Sequence, residues 1–480
     1  MKLFNLFTTA LVATSLSAQV PIIDYGFLAE PPSVQVNKVV AMPDGKILIG
    51  GFFMNYGGSG KNHLVRLNYD GTVDPTWNTG GVGPQNQVRD IVVMPDGRIL
   101  VAGGFVAYNG VQTQSIVRLF PDGARDFSFN IPLDAINGAV NAIAWHREDK
   151  VIAVGDFFEC YGHSMPHIAR FNIDGSVDLG FNIGSGFNAD AHCVLVLPDD
   201  RILVGGVFGM YNGILTGGLA LLSADGPYDP TMDNTPGFGG GMVLALARQP
   251  GGMVLVGGEF QYHHMAPASC LIRLDLTGTR DPSFTSPIYP YARVRTIALQ
   301  NDGMILIGGE YTSSMYSPPV TGPNRMTRMH PDGTRDDGFP LGEGPVPAPG
   351  STAYVSTIAV QNDDRILVGG YFAGFDTETQ YSNLLRLLPE ATVGLAEETT
   401  DDGLHLYVDP AGHLHLQRME GFADDASLHV YNANGQVILE RSLNNHMQGP
   451  VLVRPFLGTG LFFVQVRSAQ RTAVGRIVLD

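Results

Sequence analysis

Short apolar runs separated by glycine-containing turns make up most of the chain, and this pattern repeats. In the second copy the apolar runs predict four β-strands, at 88–94, 98–105, 115–120 and 124–129. Pro95-Asp96-Gly97 joins the first two strands, and Pro121-Asp122-Gly123 joins the last two. Asp-Gly is a strong hairpin signal because Gly accepts the positive φ of a tight turn. The second strand is apolar on both sides, so both faces of its sheet must be covered.

Seven copies of this pattern follow one another at nearly fixed distance. The residue at the turn is Asp44, Asp96, Asp149, Asp199, Gly251, Asp302 and Asp363, with spacings of 52, 53, 50, 52, 51 and 61 residues. An aromatic residue lies nine positions later in each copy, at Phe53, Phe105, Phe158, Phe208, Phe260, Tyr311 and Phe372. A repeat near 52 residues is typical of β-propellers. We therefore expect an all-β chain with a seven-bladed β-propeller over residues 19–393.

A second motif places an Arg at the start of the third strand and an Asp eight residues later on the fourth. The motif gives Arg66–Asp74, Arg118–Asp126, Arg170–Asp178, Arg273–Asp281 and Arg328–Asp336. Across a tight turn the two side chains can face each other as an ion pair. We expect these pairs to be structural, because a catalytic set would not recur around a ring. In the fourth copy Leu221 leaves Asp229 without this partner.

The two ends of the repeat array complement each other. The seventh copy reaches Arg386 and then lacks its Asp-x-x-aromatic strand, whereas Asp24-Tyr25-Gly26-Phe27 stands alone near the start of the chain. We expect this N-terminal segment to become the fourth strand of the last blade, with Asp24 facing Arg386. Such closure removes the exposed sheet edge of an open array.

The loops after the second strand are longer and more variable than the Asp-Gly turns, and they lie on the opposite face. Variable loops on a rigid scaffold are a usual place for binding. The aromatic residues expected to form a ligand-binding surface there are Tyr56, Tyr108, Tyr161, Tyr211 and Phe375, with Tyr311 and Tyr316 from the insertion 311–326 of the sixth copy. Flat rings of this kind suit a glycan or peptide. The alternative is that they pack as supports for their loops.

Composition narrows the location and the partners. The chain has 29 Lys and Arg against 46 Asp and Glu, a net charge of −17, which argues against nucleic acid and anionic membranes as partners. Residues 1–18 have the charged start, apolar core and small-residue end of a secretory signal peptide. No other stretch is apolar enough for a transmembrane span. We expect a secreted or cell-surface protein, and a monomer.

Motifs for catalysis are missing from the sequence. There is no Gly-x-Ser-x-Gly, His-Glu-x-x-His or phosphate-binding Gly-Lys-Ser/Thr motif. Cys160, His163, His167 and His192 follow no zinc-binding spacing, so neither a metal nor a cofactor is expected. Three cysteines cannot provide a disulfide framework, although Cys160 and Cys193 remain a possible pair. A binding role is favoured; the alternatives are a polysaccharide lyase or glycosidase, or a structural surface component.

The repeat ends before a different C-terminal segment. Residues 394–403 form an acidic linker, and residues 404–480 contain short alternating strands that predict a small Ig-like β-sandwich. This segment resembles the type A sorting domain of the type IX secretion system of Bacteroidota. The motifs that carry the resemblance are Tyr407-Val408-Asp409-Pro410, Tyr431-Asn432-Ala433-Asn434-Gly435 and Gly460-Leu461-Phe462-Phe463-Val464. The resemblance implies the secretion machinery as a partner, with release or attachment at the cell surface.

The repeats themselves resemble the delta-60 repeat, which is also described as a seven-bladed propeller repeat. The shared motifs are Asp-Gly-Lys/Arg-Ile-Leu-Val-Gly-Gly and Arg-Leu-x-x-Asp-Gly-x-x-Asp-x-x-Phe. That family has no assigned general activity. The resemblance therefore implies an architecture and leaves the extracellular ligand unknown.

Overall fold

The computed structural model describes residues 22–288, 291–316 and 323–389, together with seven strands between residues 405 and 479. The expected signal peptide 1–18 and linker 394–403 lie outside the described residues. The described part consists of strands, turns and two single-turn 3₁₀ helices, Tyr56–Gly58 and Ser313–Met315. No helix in this part is long and apolar enough to cross a membrane.

Seven antiparallel sheets, each of three strands with four to seven residues, lie in the described residues up to 389 and are called blades 1 to 7. In chain order their strands are Val36–Ala41, Ile47–Gly51 and Leu64–Leu67; Val88–Val93, Ile99–Gly103 and Ile116–Leu119; Val140–His146, Lys150–Gly155 and Ile168–Phe171; Ala191–Val196, Ile202–Gly206 and Leu219–Leu222; Met242–Arg248, Val254–Glu259 and Leu271–Leu274; Arg293–Leu299, Ile305–Glu310 and Met326–Met329; Tyr354–Val360, Ile366–Tyr371 and Leu384–Leu387. The second strand is central in every sheet and almost wholly buried, as its two apolar faces require.

The blades form a ring. The first strand of each blade packs against the first strand of the next, and that of blade 7 packs against that of blade 1. Neighbouring blades approach most closely at their first and second strands and diverge toward the third. The first strands therefore surround the axis of the ring, as in a β-propeller. This arrangement confirms the all-β propeller class expected from the repeat.

The fourth strand of each blade is shorter than its sequence pattern suggests. In blade 2 the expected strand 124–129 is reduced to one bridge, between Leu119 and Arg125. Asp126 is the cause: its Oδ1 accepts a hydrogen bond from the Ser128 N–H at 2.9 Å, and its carbonyl accepts one from the Phe129 N–H at 3.2 Å. These bonds turn the chain away from the sheet edge.

The N-terminal segment lies against the third strand of blade 7. Ile23 bridges Leu387, and the Asp24 N–H donates to the Arg386 carbonyl at 2.8 Å. The Leu388 N–H donates to the Ile22 carbonyl, also at 2.8 Å. The first described residues of the chain thus occupy the position that other blades fill with residues following their own third strand.

Blade 3 departs from the expected repeat spacing by one residue. Gly155 pairs with Val140, as Gly103 pairs with Val88 in blade 2. The aromatic at the repeated core position is therefore Phe157, which is 0% exposed, whereas Phe158 is 55% exposed. The assignment of Phe158 to that position is wrong, because Glu148 and not Asp149 stands at the place of Asp96. Val151 pairs with Trp145 as Ile99 pairs with Val93, so the turn has the same length in both blades.

Several loops after the second strands contain small hairpins. Their strands are Ala107–Tyr108 with Val111–Gln112, Glu159–Cys160 with His163–Ser164, Met210–Tyr211 with Ile214–Leu215, and Phe238–Gly239 with Tyr262–His263 and Ala266–Pro267; Pro345–Val346 pairs with Gly374–Phe375. Between residues 405 and 479 two further antiparallel sheets occur. One has the order His405–Val408, His413–Gln417, Val451–Leu452, and the other the order Val437–Ser442, Ser427–Asn432, Gly460–Arg467, Thr472–Leu479.

Candidate functional site

The repeated Arg residues fasten neighbouring blades together. Arg118 Nε lies 2.7 Å from Asp126 Oδ2 in its own blade, and its Nη1 donates to the Ile173 carbonyl of blade 3 at 2.8 Å. The same pair of contacts recurs at Arg66–Asp74 with Pro121, Arg170–Asp178 with Ala224, Arg273–Asp281 with Pro331, Arg328–Asp336 with Pro389, and Arg386–Asp24 with Tyr69. In blade 4, where Leu221 replaces the Arg, Arg201 Nη1 lies 3.2 Å from Asp229 Oδ2. Except in blade 4, these contacts connect each blade to the next one around the ring.

Hydrogen bonds lower the pKa of several of the aspartates in these blades. Burial by itself raises the pKa of Asp74, but hydrogen bonds from Thr76 and Lys46 and the charge of Arg66 outweigh it, so the pKa lies below its usual value. The pKa values of Asp126, Asp178, Asp229 and Asp281 are lowered by comparable bonds. Charge-assisted bonds of this kind are stronger than neutral ones.

The aromatic residues expected to form a binding surface are buried instead. Tyr108 donates its hydroxyl to the Gly123 carbonyl at 2.7 Å, and Tyr211 donates to the Gly226 carbonyl at 2.6 Å, both in the turn after the third strand. Tyr161 makes the equivalent bond to Gly175 and is half-buried. The buried members are Tyr56, Tyr108, Tyr211, Tyr311, Tyr316 and Phe375. The expectation of an exposed aromatic ring is wrong for these six, because their side chains fill the space between loop and blade.

The cysteine and histidine residues near blade 3 form no metal site. Cys160 is buried in the core, where burial raises the pKa of its thiol to about 12, and His167 Nδ1 contacts the Gly155 carbonyl at 3.0 Å. No group of three or more His, Cys, Asp or Glu in the described ranges could hold a metal ion. Cys160 and Cys193 are free thiols, so they form no disulfide.

A different set of residues converges at the axis. Every first strand has a β-bulge near its start, and the bulge residues are Asn37, Arg89, Asn141, His192, Leu244, Arg295 and Ser356. All seven are half-buried. Because the first strands surround the axis, these side chains form a ring at its mouth, on the face with the variable loops. Bulges commonly redirect side chains at such sites.

A second ring surrounds the first. It consists of the residue before each buried aromatic at the end of the second strand: Phe52, Gly104, Asp156, Val207, Glu259, Glu310 and Tyr371. None of these residues is buried. We call the fourteen residues of the two rings the mouth collar. The aromatic positions are fixed by packing, whereas the position before them is free to vary among charged, apolar and aromatic side chains.

Charged groups link one half of the mouth collar. Arg293 Nε lies 2.7 Å from Glu259 Oε2, and its Nη1 lies 3.5 Å from Glu310 Oε1. Arg295 Nε lies 2.7 Å from the same Glu310 oxygen, and its guanidinium stands 4.7 Å from the ring centroid of Tyr354. Blades 5, 6 and 7 are therefore joined by one run of ion pairs that ends on an aromatic ring.

Further hydrogen bonds continue this run around the axis. The Tyr354 hydroxyl donates to Gln35 Oε1 at 2.6 Å, and Gln35 Nε2 donates to Asn37 Oδ1 at 2.9 Å. Asn37 Nδ2 donates to the Val88 carbonyl at 2.7 Å, and Asn141 Nδ2 to the Ala191 carbonyl at 3.0 Å. The Arg89 guanidinium bonds Asn141 between these two. The polar run thus passes from blade 5 through blades 6, 7, 1, 2 and 3 to blade 4. It is interrupted between blades 4 and 5, where the collar residues Val207 and Leu244 are apolar.

His192 lies where charges from across the ring meet. Burial lowers the pKa of its imidazole, and the positive charges of Arg89 and Arg295 lower it further. The carboxylates of Asp190 and Asp156 act in the opposite direction. Groups on blades 2, 4 and 6 are therefore close enough to act on one another at the axis.

Gly104 opens a depression beside the mouth collar. The depression has a volume of about 370 Å³ and is lined in part by Gln114, Asp134 and Asn137. At the same position blades 1 and 7 carry the aromatic residues Phe52 and Tyr371. A Cβ at Gly104 would meet Ala139 Cβ at 3.7 Å, an ordinary contact. A side chain would therefore fit at position 104 without a backbone clash, and the effect of the glycine is to leave the depression open.

The mouth collar can bind a polar ligand by hydrogen bonds, ion pairs and ring contacts. Its donors and acceptors include Arg89, Glu259 and Glu310, and Tyr354 and Tyr371 lie 5.7 Å apart between ring centroids. Sequence reasoning missed this site. The signal was present: a charged residue follows Gly-Gly at Glu259 and Glu310, in strands that are otherwise apolar.

Known proteins resemble the chain at the level of the repeat. Five segments match a family model described as a domain of unknown function (DUF5122) beta-propeller: residues 43–76, 95–129, 149–181, 197–231 and 249–284. The fold is a β-propeller. No curated protein matches the sequence. The segments matched by the propeller model contain the Arg–Asp pairs of blades 1, 2, 3 and 5.

Solved structures are similar to the chain at low identity. PorZ, an essential surface component of the type-IX secretion system of Porphyromonas gingivalis, is 12% identical with a TM-score of 0.42; the match covers 94% of this chain and 60% of PorZ. A gluconolactonase from Xanthomonas campestris is 13% identical with a TM-score of 0.37, covering 75% of this chain and 97% of its own. YCF48 from Cyanidioschyzon merolae is 13% identical with a TM-score of 0.39 and the same two coverages.

Proposed function

We propose that this protein is a secreted or surface-displayed seven-bladed propeller that binds an extracellular glycan, peptide or protein at its mouth collar. The observation that carries the proposal is the polar run from Glu259 around the axis to the Ala191 carbonyl. Seven repeats supply an almost uniform scaffold, yet the collar positions differ from blade to blade. Variation confined to one end of a rigid scaffold is characteristic of a recognition surface.

The chemistry of the mouth collar favours binding over catalysis. Glu259 and Glu310 both contact arginine, so their carboxylates are held in ion pairs. A glycosidase needs one carboxyl group that can donate a proton and a second that stays ionised. Preorganised guanidinium and carboxylate groups instead suit a ligand with many hydrogen-bonding groups. The depression at Gly104 supplies a concave side to the same surface.

We further propose that residues 404–480 direct the chain to the type IX secretion machinery, that residues 1–18 direct it across the inner membrane, and that residues 394–403 link the propeller to the sorting segment. The sequence motifs from Tyr407 onward support this route. A chain truncated after residue 393 should then accumulate inside a host that carries the machinery, whereas the intact chain reaches the surface or the medium. Equal export of both chains would contradict the proposed role of residues 404–480.

The binding function is tested with the full-length chain on an array of neutral glycans, acidic glycans and short peptides. We expect a small set of related probes to be retained, and we expect chromatography of the bound probes to show no shortened products. Shortened products from a retained glycan would contradict a pure binding function and would support the alternative of a polysaccharide lyase or glycosidase. Retention of no probe in any class would contradict a glycan or peptide ligand.

A further inference from the structure

A second cleft lies on the outer perimeter of the ring, between blades 1 and 2 and apart from the mouth collar. Its volume is about 320 Å³. We call it the rim cleft; the lining residues relevant to its chemistry are Thr76, Thr79, Asn109, Asp122, Arg125 and Phe127. They come from the segment after blade 1, the small hairpin of blade 2 and the turn after the third strand of blade 2.

Phe127 is the most unusual residue of the rim cleft. It is 66% exposed, which places it among the most exposed large apolar residues of the described part. The corresponding residues of other blades are Pro75, Leu179, Pro230, Pro282 and Asp337, and the aromatic Tyr25 of the N-terminal segment packs against Tyr381. The repeat therefore does not require an aromatic ring at this position. Because Phe127 lines the cleft, its exposed ring offers a flat apolar surface to a ligand there.

The guanidinium of Arg125 packs against the Phe127 ring. The guanidinium carbon lies 5.1 Å from the ring centroid. Arg125 is only 8% exposed, and its Nη1 and Nη2 donate to the Gln112 carbonyl at 2.8 Å and to Asn130 Oδ1 at 2.9 Å. Its buried Nε has no hydrogen-bond partner. A guanidinium fixed in this way makes the ring a preorganised platform, which reduces the entropy lost when a ligand binds.

Polar groups with unused hydrogen-bonding capacity surround the platform. Asn109 Nδ2 donates one bond, to Asn78 Oδ1 at 2.7 Å, and an amide nitrogen carries two hydrogens. Asp122 Oδ1 accepts the Ala124 N–H at 2.9 Å. Thr79 donates its hydroxyl to the Thr76 carbonyl at 3.2 Å, so the hydroxyl oxygen keeps its acceptor capacity. Donors and acceptors therefore stand near the ring.

We propose that the rim cleft binds one neutral pyranose unit of a glycan. The apolar C–H face of a pyranose stacks on the Phe127 ring, and its hydroxyl groups bond Asn109, Thr79 and Asp122. The Asp122 carboxylate and the net charge of −17 disfavour an acidic sugar. A volume of about 320 Å³ matches the lower end of small-molecule pockets and suits a single ring.

The test is calorimetric titration of the full-length chain with cellobiose, maltose, mannobiose, N-acetylchitobiose and glucuronic acid. We expect at least one neutral disaccharide to bind with one site per chain at the rim cleft. Phe127→Ala should weaken this binding about tenfold, and Phe127→Leu should weaken it comparably because a branched chain offers no flat face. Phe127→Tyr should bind within about threefold of the parent chain.

Two control variants distinguish the rim cleft from neighbouring surfaces of the chain. Phe120→Ala removes another exposed ring of blade 2, 45% exposed, and should leave binding unchanged. Phe158→Ala removes an exposed ring of blade 3, 55% exposed, and should also leave binding unchanged. Binding of glucuronic acid equal to that of the neutral sugars would overturn the proposal. So would full binding by Phe127→Ala or Phe127→Leu, or binding of none of the neutral sugars.

Discussion

Arg386 Nε lies 2.8 Å from Asp24 Oδ2, although 362 positions separate the two residues. Arg365 Nε lies 3.0 Å from the same oxygen. The side chains of Arg386 and Asp24 are 3% and 4% exposed, so the pair is shielded from water. Together with the backbone bonds of Ile22 and Asp24, this contact joins the start of the propeller to its last blade. An ion pair and backbone hydrogen bonds therefore act together to close the ring at blade 7.

Removal of the Asp24 carboxylate should destabilise the closed ring. In Asp24→Ala the guanidinium groups of Arg386 and Arg365 lose their shared carboxylate, and a buried charge without its partner costs about 3 kcal/mol of unfolding free energy. Asp44→Asn is the matched control, because Asp44 is exposed in a turn, and its change should stay within about 0.5 kcal/mol. Chemical denaturation of the three chains measures both values. Equal stability of Asp24→Ala and the parent chain would show that the pair does not secure closure.

Adjacent phenylalanines in blade 3 should respond very differently to truncation. Phe157→Ala removes a ring that is 0% exposed, and should lower the unfolding free energy by about 3–5 kcal/mol. Phe158→Ala removes a ring that is 55% exposed, and should change it by about 0.5 kcal/mol or less. Thermal or chemical unfolding distinguishes the two. The reverse order would place Phe158 at the repeated core position and contradict the burial of Phe157.

Acidification should destabilise the protein in two stages. Burial lowers the pKa of His263 to about 4, and the charges of His264 and Arg280 act in the same direction, so the unfolded chain takes up this proton first, below about pH 6.5. The aspartates with lowered pKa, such as Asp74 and Asp178, contribute stability that is complete above about pH 4 and is lost as the pH falls through their folded values.

Thermal unfolding between pH 8 and pH 2 measures this dependence. The Tm should fall gently from pH 6.5 to pH 4 and more steeply below pH 4, because several aspartates titrate there and only a few histidines above. Neutral variants provide the control: His263→Gln should remove part of the first stage and leave the second. A Tm that stays constant from pH 7 to pH 3 is incompatible with these pKa shifts.

The repeat made the architecture accessible from sequence. The Asp-Gly turns, the two-faced apolar second strand and the orphan Asp24 segment each depend on local chemistry or on counting, and the structure confirms the all-β propeller class. Phe158 was misplaced because the third copy has Glu148-Asp149 where the second has Asp96-Gly97, and counting from Asp149 instead of Glu148 moves the expected aromatic by one residue. The strand expected at 124–129 was too long because hydrogen bonds of Asp126 turn the chain, although the Asp-x-Ser pattern was visible.

The site was harder to foresee because burial depends on how loops fold back on the blades. Tyr108 and Tyr211 were expected at a surface, yet their hydroxyl groups reach glycine carbonyls beneath the loops. The mouth collar combines bulge residues such as Arg89 with residues such as Glu310 from seven separate blades. Nothing in the linear spacing indicates that these converge until the ring is closed. Phe127 was not singled out either, because it stands at an x position of the Asp-x-x-Phe motif.

Gly104→Tyr tests the proposed binding surface most directly. Tyr at this position fills the depression beside the mouth collar without backbone strain, since blade 7 carries Tyr371 at the same place. Ile173→Tyr is the matched control, because it adds the same side chain at an exposed position in the turn after the third strand of blade 3, where blade 1 carries Tyr69. Each chain is applied to the same array of neutral glycans, acidic glycans and peptides. We predict that at least one probe retained by the parent chain is also retained by Ile173→Tyr and loses at least about tenfold in affinity with Gly104→Tyr, whereas a probe bound at the rim cleft keeps its affinity in both variants. Undiminished binding of every probe by Gly104→Tyr would contradict a ligand site at the mouth of the ring.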